Sequence, residues 1–244
     1  MDLSYFKTIV QQGISHWFLP YHCILCSEET NRNLDLCIEC EESLPWLGNV
    51  CSYCAAPLYL SKHTVCGACL TKPLSFSKVC LFFSYTTIIK RMIIRLKFER
   101  CLFYAHLLGT LLAKHLERFY YQERLPQLII PVPLHKKRLS ERGYNQALEL
   151  AKPIRKRFKI PIDFSSCLRL RNTAAQASLT ADQRRSNVKN AFTVHKKIHA
   201  QHIALLDDVM TTGHTLIELS RILYHAGVKR IDVWCCARTF LSSF

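Results

Sequence analysis

The segment Ile203–Ile217 reads IALLDDVMTTGHTLI and places two adjacent acidic residues between an apolar stretch and a helix. The four apolar residues that begin it predict a buried strand, and Thr215–His225 predicts an amphipathic helix. Ligands of α/β proteins bind at the carboxyl ends of strands. Asp207 and Asp208 are therefore predicted to stand at a binding site.

The turn between this strand and this helix carries groups that suit a phosphate. Free N–H groups and the dipole at a helix start favour an anion, and Gly213 allows the backbone to approach it closely. Two neighbouring carboxylates accept hydrogen bonds from vicinal hydroxyls or hold Mg²⁺ carried by the ligand. The alternative is a plain strand–turn–helix connection with capping residues. The predicted contacts of a ribose 5-phosphate are Asp207, Asp208, Thr211, Thr212, Gly213, His214 and Thr215.

The alternation of apolar strands with helices predicts an α/β fold, a mostly parallel sheet with helices on both faces. A basic loop is predicted at Pro133–Tyr144. The predicted strands are Val79–Tyr85, Leu128–Val132, Ile203–Leu206 and Ile231–Cys236. The predicted helices are Thr86–Lys97, Leu102–Tyr121, Gln146–Phe158 and Thr215–His225.

Eight of the 13 cysteines form four Cys-x2-Cys pairs ahead of this body. Each pair places two thiolates on one side of a tight loop, and two pairs complete a tetrahedral zinc site, so the pattern predicts a zinc ribbon given twice. Disulfides are the alternative, but the first twenty residues read as an amphipathic helix and not as a secretory leader. Sequential and crossed pairing of the four knuckles both fit the spacing. The predicted ligands are Cys23, Cys26, Cys37, Cys40, Cys51, Cys54, Cys66 and Cys69.

Charge is distributed unevenly along the chain. The formal net charge of the 244 residues is +15, and residues 76–244 alone hold 29 Lys and Arg against 11 Asp and Glu, a net +18. Such a field favours polyanions. We expect a zinc-ribbon domain at residues 1–75, a basic domain at 76–244, no membrane span and a cytoplasmic location. The predicted nucleic-acid contacts are Lys90, Arg91, Arg95, Lys97 and Arg100, with Phe98, Tyr104, Trp46 and Tyr53 as candidate stacking residues.

Three motifs resemble known families. Asp207–Thr215 (DDVMTTGHT) is similar to the fingerprint with which type I phosphoribosyltransferases bind 5-phosphoribosyl 1-pyrophosphate (PRPP). Pro131–Ala147 (PVPLHKKRLSERGYNQA) and the pattern R-x-T-x-x-Q-x-x-L-x-x-x-x-R-x-x-N-V-x-x-A-F from Arg171 to Phe192 resemble signatures of the ComF family of competence proteins. That family places a cysteine-rich, zinc-binding segment before a phosphoribosyltransferase-like domain.

The resemblance implies a type I phosphoribosyltransferase-like fold that binds PRPP with Mg²⁺. It implies a role in natural transformation, handling incoming single-stranded DNA in the cytoplasm, with a competence helicase as a candidate partner. An active phosphoribosyltransferase with a nitrogen acceptor is an alternative, although Thr211 stands where purine-salvage enzymes carry an Asp base. A zinc-bearing interaction module with a regulatory PRPP pocket is another. The resemblance also implies contacts with the pyrophosphate, and a hood formed by residues 171–187 that closes over the pocket. The implied pyrophosphate and hood contacts are Arg142, Gly143, Asn145, Gln146, Arg171, Gln176 and Arg184.

Overall fold

The computed structural model describes residues 21–58, 64–71, 75–172 and 188–240. The chain forms two compact units, Met1–Leu44 and Pro45–Phe244. The second four-cysteine segment therefore belongs to the same unit as the basic body, while the domain limit expected near residue 75 stays a prediction. The amphipathic helix expected in the first twenty residues, and the hood residues Gln176 and Arg184, lie outside the described residues.

The elements of the described residues follow the predicted alternation. The strands are β1 (Tyr21–His22), β2 (Glu29–Thr30), β3 (Lys78–Ser84), β4 (Leu128–Pro131), β5 (Cys167–Arg169), β6 (Phe192–Val194), β7 (His202–Met210) and β8 (Arg230–Arg238). The helices are α1 (Ile38–Glu42), α2 (Gly67–Thr71), α3 (Thr87–Phe98), α4 (Phe103–Phe119), α5 (Lys136–Arg142), α6 (Gln146–Phe158) and α7 (His214–His225). None of these helices is long and apolar enough to cross a membrane.

The central sheet has the order β3-β8-β7-β4, and all three of its pairings are parallel. One face packs against α7 through Leu216, Leu219 and Leu223, while α4 and α6 contact the sheet through the opposite face. The near-continuous apolar strands are buried because both faces are covered. The expected α/β fold, a mostly parallel sheet between helices, is confirmed.

Register places the two acids beyond the end of a neighbouring strand. β4 pairs with β7 only as far as Pro131 opposite Leu206, whereas β8 follows β7 to Met210 opposite Arg238. β7 is therefore longer than predicted, because β8 supplies hydrogen-bond partners for its backbone as far as Met210, past the polar residues Asp207 and Asp208. Past the end of β4, the side chains of Asp207 and Asp208 have room for a ligand.

A buried hydrogen-bonded cluster fills the other end of the sheet, where the strands begin. Asp232, fully buried on β8, accepts from the Tyr120 hydroxyl at 2.7 Å and lies 2.8 Å from His202 Nε2. Arg230 Nε donates to the other carboxylate oxygen of Asp232 at 3.2 Å, and Trp234 Nε1 donates to the Tyr120 hydroxyl. These bonds compensate the buried charge. Side chains therefore fill the amino-terminal end of the sheet.

The basic loop predicted at Pro133–Tyr144 is wrong in part, because its middle forms the helix α5. The His135 ring accepts a hydrogen bond from the Lys137 N–H at 3.3 Å and caps the helix start. Gly143, with φ of 86°, ends the helix in the left-handed conformation. The density of positive charge obscured this two-turn helix in the sequence.

Close packing of α4 on α6 depends on Gly109. A Cβ added there would lie 2.6 Å from the Leu150 carbonyl oxygen and 3.0 Å from Pro153 Cγ. The nearest atom belongs to the backbone of α6 and cannot rotate away. A side chain at this position would therefore push the two helices apart.

We expect Gly109→Ala to lower the free energy of unfolding by about 2 kcal/mol, because overpacking outweighs the gain in helix propensity. Chemical denaturation measures this change. Gly48→Ala is the matched control, since no heavy atom lies within 4 Å of its added Cβ. Equal stabilities of the two variants would show that the helices separate without cost.

Candidate functional site

The eight predicted ligands gather into two four-thiol groups, in the sequential arrangement of the two considered. In each group the four Sγ atoms lie within 4.8 Å of one another. Cys26 and Cys37 Sγ are 3.8 Å apart, and Cys54 and Cys66 Sγ are 3.6 Å apart. A tetrahedron with Zn–S bonds of about 2.3 Å needs sulfurs about 3.8 Å apart. The first group is Cys23, Cys26, Cys37 and Cys40, and the second is Cys51, Cys54, Cys66 and Cys69.

The first Cys-x2-Cys pair of each group is held in the same type of backbone turn. Ser27 and Ala55 each follow the second cysteine with a positive φ, 66° and 54°. Their N–H groups donate to the carbonyls of Cys23 and Cys51 at 2.8 and 2.7 Å. The same fold of the chain therefore presents both thiol pairs.

Backbone N–H groups around the leading cysteines favour the thiolate. Burial alone raises the pKa of the Cys23 and Cys51 thiols, but surrounding N–H donors outweigh it and lower these pKa values to about 6 and about 7. Thiolates are the form that binds metal. Both groups fit structural Zn²⁺.

A cavity of about 610 Å³ opens at the carboxyl end of β7. It brings together the two acids, the phosphate-type turn and a set of cations from distant parts of the chain. Its polar lining includes Tyr85, Lys90, Lys97, Arg138, Arg142, Gln146, Arg169, Asp207, Asp208, Thr211, His214, Thr215 and Thr239.

The two acids of the cavity differ in charge. The pKa of Asp207 is raised to about 8 by its burial and by the like charge of Asp208. Burial also disfavours the charged form of Asp208, but the Lys97 ammonium forms an ion pair with this carboxylate and holds its pKa below the usual value. Asp208 is 3% exposed. Near neutral pH the pair therefore carries one proton, on Asp207.

The turn after β7 presents backbone donors to the cavity. Gly213 has φ of 77° and begins α7, and an added Cβ would lie 2.9 Å from Met210 Cε. Thr212 Oγ1 lies 3.0 Å from His214 Nδ1 within the turn. Gly213, His214 and Thr215 line the cavity, so the start of α7, where free N–H groups and the dipole favour an anion, borders it.

Arginines line other parts of the same cavity. Arg142 bonds to Gln146, and its guanidinium lies 5.8 Å from the centre of the Phe98 ring, which is 73% exposed. Burial lowers the pKa values of Arg142 and Arg169, which remain cationic because arginine keeps its proton in proteins. Positive and negative groups thus share one cavity.

The structure separates the predicted contacts into two sets. Six of the seven predicted sugar-phosphate residues line the cavity, while Thr212 contacts His214 beside it. Of the predicted pyrophosphate residues, Arg142 and Gln146 line it. Asn145 caps α6 and donates to the Val132 carbonyl at 3.0 Å, and Gly143 ends α5. Arg171 donates to the Lys189 carbonyl at 2.8 Å instead.

The predicted nucleic-acid residues are likewise divided. Lys90, Arg91 and Arg95 line an open groove of about 830 Å³ along α3. Arg95 also pairs with Glu99 at 2.7 Å. Lys97 turns into the cavity, and Arg100 follows the helix in a left-handed conformation, with φ of 57°. Lys90 lines both spaces, so groove and cavity adjoin.

Lys97 and Arg169 are among the cavity residues that sequence reasoning missed. Lys97 is predicted as a nucleic-acid contact, and the phase of α3 is the signal that separates it from its exposed neighbours. Arg169 lies on β5, far from the cavity motifs in sequence, and reaches the cavity because β5 forms a bridge from Arg169 to His135. No local pattern around Arg169 indicates this position.

We expect Asp207→Asn to stabilise the protein increasingly as pH rises. Folded Asp207 keeps its proton up to about pH 8, whereas an unfolded Asp ionises near pH 3.9, so the wild-type protein loses stability between these values. The variant's advantage should grow by more than about 1 kcal/mol from pH 5 to pH 8, measured by denaturation. Asp208→Asn should instead cost about 3 kcal/mol, because it leaves the Lys97 ammonium unpaired. An advantage independent of pH would contradict the charge assignment.

Comparison with known proteins agrees with the cysteine geometry. Residues 14–70 match the family model of the double zinc ribbon domain. A purine phosphoribosyltransferase from Pyrococcus horikoshii Ot3 aligns with 56% of this chain and 74% of its own, at 18% identity and a TM-score of 0.32. That likeness is too weak to support an inference.

Relatives of similar length align along nearly the whole chain. Competence protein F of Haemophilus influenzae is 35% identical over 91% of this chain and 98% of its own. The DNA utilization protein YhgH of Escherichia coli (strain K12) is 32% identical over 93% of both chains. Competence protein ComFC of Bacillus subtilis is 24% identical over 84% of this chain and 89% of its own. With its double zinc ribbon and its α/β body, the chain belongs to the ComF family of competence proteins.

Proposed function

We propose that the protein binds PRPP with Mg²⁺ in the cavity at the end of β7 and handles incoming single-stranded DNA in the cytoplasm during natural transformation. One observation carries the first part. Adjacent acids, the start of α7 and half-buried arginines line a single cavity of about 610 Å³. PRPP carries the complementary groups, namely vicinal hydroxyls, a 5-phosphate and a pyrophosphate.

Each part of the ligand has a partner in this arrangement. Asp207 and Asp208 accept hydrogen bonds from the ribose hydroxyls. The N–H groups at the start of α7, with the Thr211 and Thr215 hydroxyls, donate to the 5-phosphate. Arg142 and the other cavity arginines bind the pyrophosphate, which arginine can grip in a bidentate manner.

Magnesium fits the chemistry of the same cavity. Mg²⁺ prefers carboxylates together with substrate phosphates, and the acid pair supplies the carboxylates. The ion would offset phosphate charge when it is bound. Lys97 compensates Asp208 in the ligand-free protein and is placed to share this carboxylate with the incoming ligand.

We expect calorimetry to detect binding of Mg-PRPP by the wild-type protein and a loss of affinity of at least about tenfold in the Asp207→Asn, Asp208→Asn double variant, because charge-assisted hydrogen bonds disappear. Binding at pH 7 should release protons as Asp207 ionises, so the measured enthalpy should depend on the buffer. Glu141→Gln is the control, since it also removes one negative charge at pH 7 and lies outside the cavity lining.

Failure of the wild-type protein to bind Mg-PRPP would contradict this part of the proposal. Release of pyrophosphate in the presence of nitrogen nucleophiles would reveal a working transferase. Binding without release would favour a ligand-sensing role.

The DNA part of the proposal rests on the groove along α3. Lys90 and Arg91 are exposed there, and Phe98 offers an exposed ring at the end of the same helix. Single-strand binding combines such cations with aromatic rings. Relatives named for competence and for DNA utilization agree with this role.

We expect Lys90→Gln with Arg91→Gln to weaken binding of a single-stranded oligonucleotide and to reduce the slope of log affinity against log salt by about 1.4, from two lost phosphate contacts. Fluorescence anisotropy at several salt concentrations measures both. Arg155→Gln with Lys156→Gln is the matched control, because these exposed residues lie on α6 and the change in net charge is equal. Equal losses in both double variants would locate the DNA elsewhere.

A further inference from the structure

The groove along α3 and the cavity at the end of β7 have one wall in common. Tyr85, Lys90 and Ile94 line both spaces and form this shared wall. Lys90 and Ile94 lie on the same face of the helix, because their spacing in the sequence is about one turn. The Tyr85 N–H, just before the helix, donates to the Arg238 carbonyl of β8 at 2.9 Å. A ligand that fills either space therefore contacts the same ridge of the protein.

Lys90 is the cation of the shared wall. Its side chain is exposed, and within the part of the chain that the structure describes its ammonium has no carboxylate partner. Other cations of α3 are already paired, since Arg95 bonds to Glu99 at 2.7 Å and Lys97 to Asp208. The Lys90 ammonium is therefore able to bind an anion that enters from the groove or from the cavity.

The carboxyl end of α3 is joined to the cavity by two contacts. Lys97 forms its ion pair with Asp208 of β7. Tyr144, two residues after the cavity residue Arg142, donates its hydroxyl hydrogen to the Leu96 carbonyl. The helix that carries the groove is thus also a wall of the cavity, and the two spaces are not separate surfaces.

Both proposed ligands are polyanions. Mg-PRPP keeps a net negative charge, because its phosphate and pyrophosphate groups outweigh one Mg²⁺, and every DNA phosphate carries a negative charge. Each ligand by itself can bind the Lys90 ammonium. When one of them already holds it, the other makes one contact fewer and also experiences a like charge across the shared wall. A hydrogen bond to a charged group accounts for about tenfold or more in affinity.

We propose that single-stranded DNA and Mg-PRPP compete at the shared wall through Lys90, so that each ligand lowers the affinity of the protein for the other. This inference rests on the proposed function and adds its regulation. A rise in PRPP would then loosen the hold of the protein on the strand. Linkage makes the effect reciprocal, so DNA must weaken binding of PRPP by the same factor.

The first test is fluorescence anisotropy of a labelled single-stranded oligonucleotide, with and without saturating Mg-PRPP. Wild-type protein should bind the oligonucleotide about tenfold more weakly when Mg-PRPP is present. Magnesium sulfate at the same ionic strength is the control for screening, and its effect should be smaller. Calorimetry of Mg-PRPP with the oligonucleotide in excess should give the same factor.

Lys90→Gln and Arg91→Gln are the matched variants for the second test. Both residues are exposed and adjacent on α3, but Arg91 lines the groove without lining the cavity. Both variants should bind the oligonucleotide more weakly than wild type. In Lys90→Gln, Mg-PRPP at a concentration that saturates this variant should have little further effect on DNA affinity, because the shared cation is gone. In Arg91→Gln the effect should stay at about tenfold.

A DNA affinity that Mg-PRPP leaves unchanged or raises would overturn the competition. Equal competition in the two variants would overturn the role of Lys90. Acceleration of pyrophosphate release by the oligonucleotide would also contradict the inference, because it requires both ligands in one complex. If the wild-type protein binds no Mg-PRPP or no oligonucleotide, the proposed function fails and this inference fails with it. Independent binding of both ligands would contradict this inference alone.

Discussion

The ion pair between Lys97 and Asp208 is the interaction on which the cavity depends. Asp208 is buried on β7, and a buried carboxylate is costly unless a cation compensates it. Lys97 comes from the last turn of α3, so this pair joins the helix that carries the basic groove to β7. The charge of the acid pair therefore depends on this contact.

The acidic residues at the two ends of the sheet differ in how their charge is compensated. At the amino-terminal end of the sheet, Asp232 is fully buried and accepts hydrogen bonds from three side chains. Its charge is therefore compensated within the fold. At the carboxyl edge, Asp207 keeps a proton because its charge is not fully compensated. Carboxyl groups whose pKa values are shifted in this way are typical of functional sites.

The sequence sufficed for the parts of the molecule that depend on local patterns. Apolar runs located the four strands of the central sheet, and Cys-x2-Cys spacing located both metal groups, because each pair is built within one short turn. It did not suffice where side chains from separate elements meet. Lys97 and Arg169 enter the cavity through the phase of α3 and through a bridge from β5, and neither is encoded near Asp207. The helix α5 was hidden by its charge.

Two cysteine motifs built on the same turn have come to belong to different parts of the molecule. The first lies in the unit that ends at Leu44, and the second contributes Ala55 to the core of the sheet. A change in the first motif therefore falls within a unit that does not include the sheet. A change in the second must be accommodated by the core of the sheet.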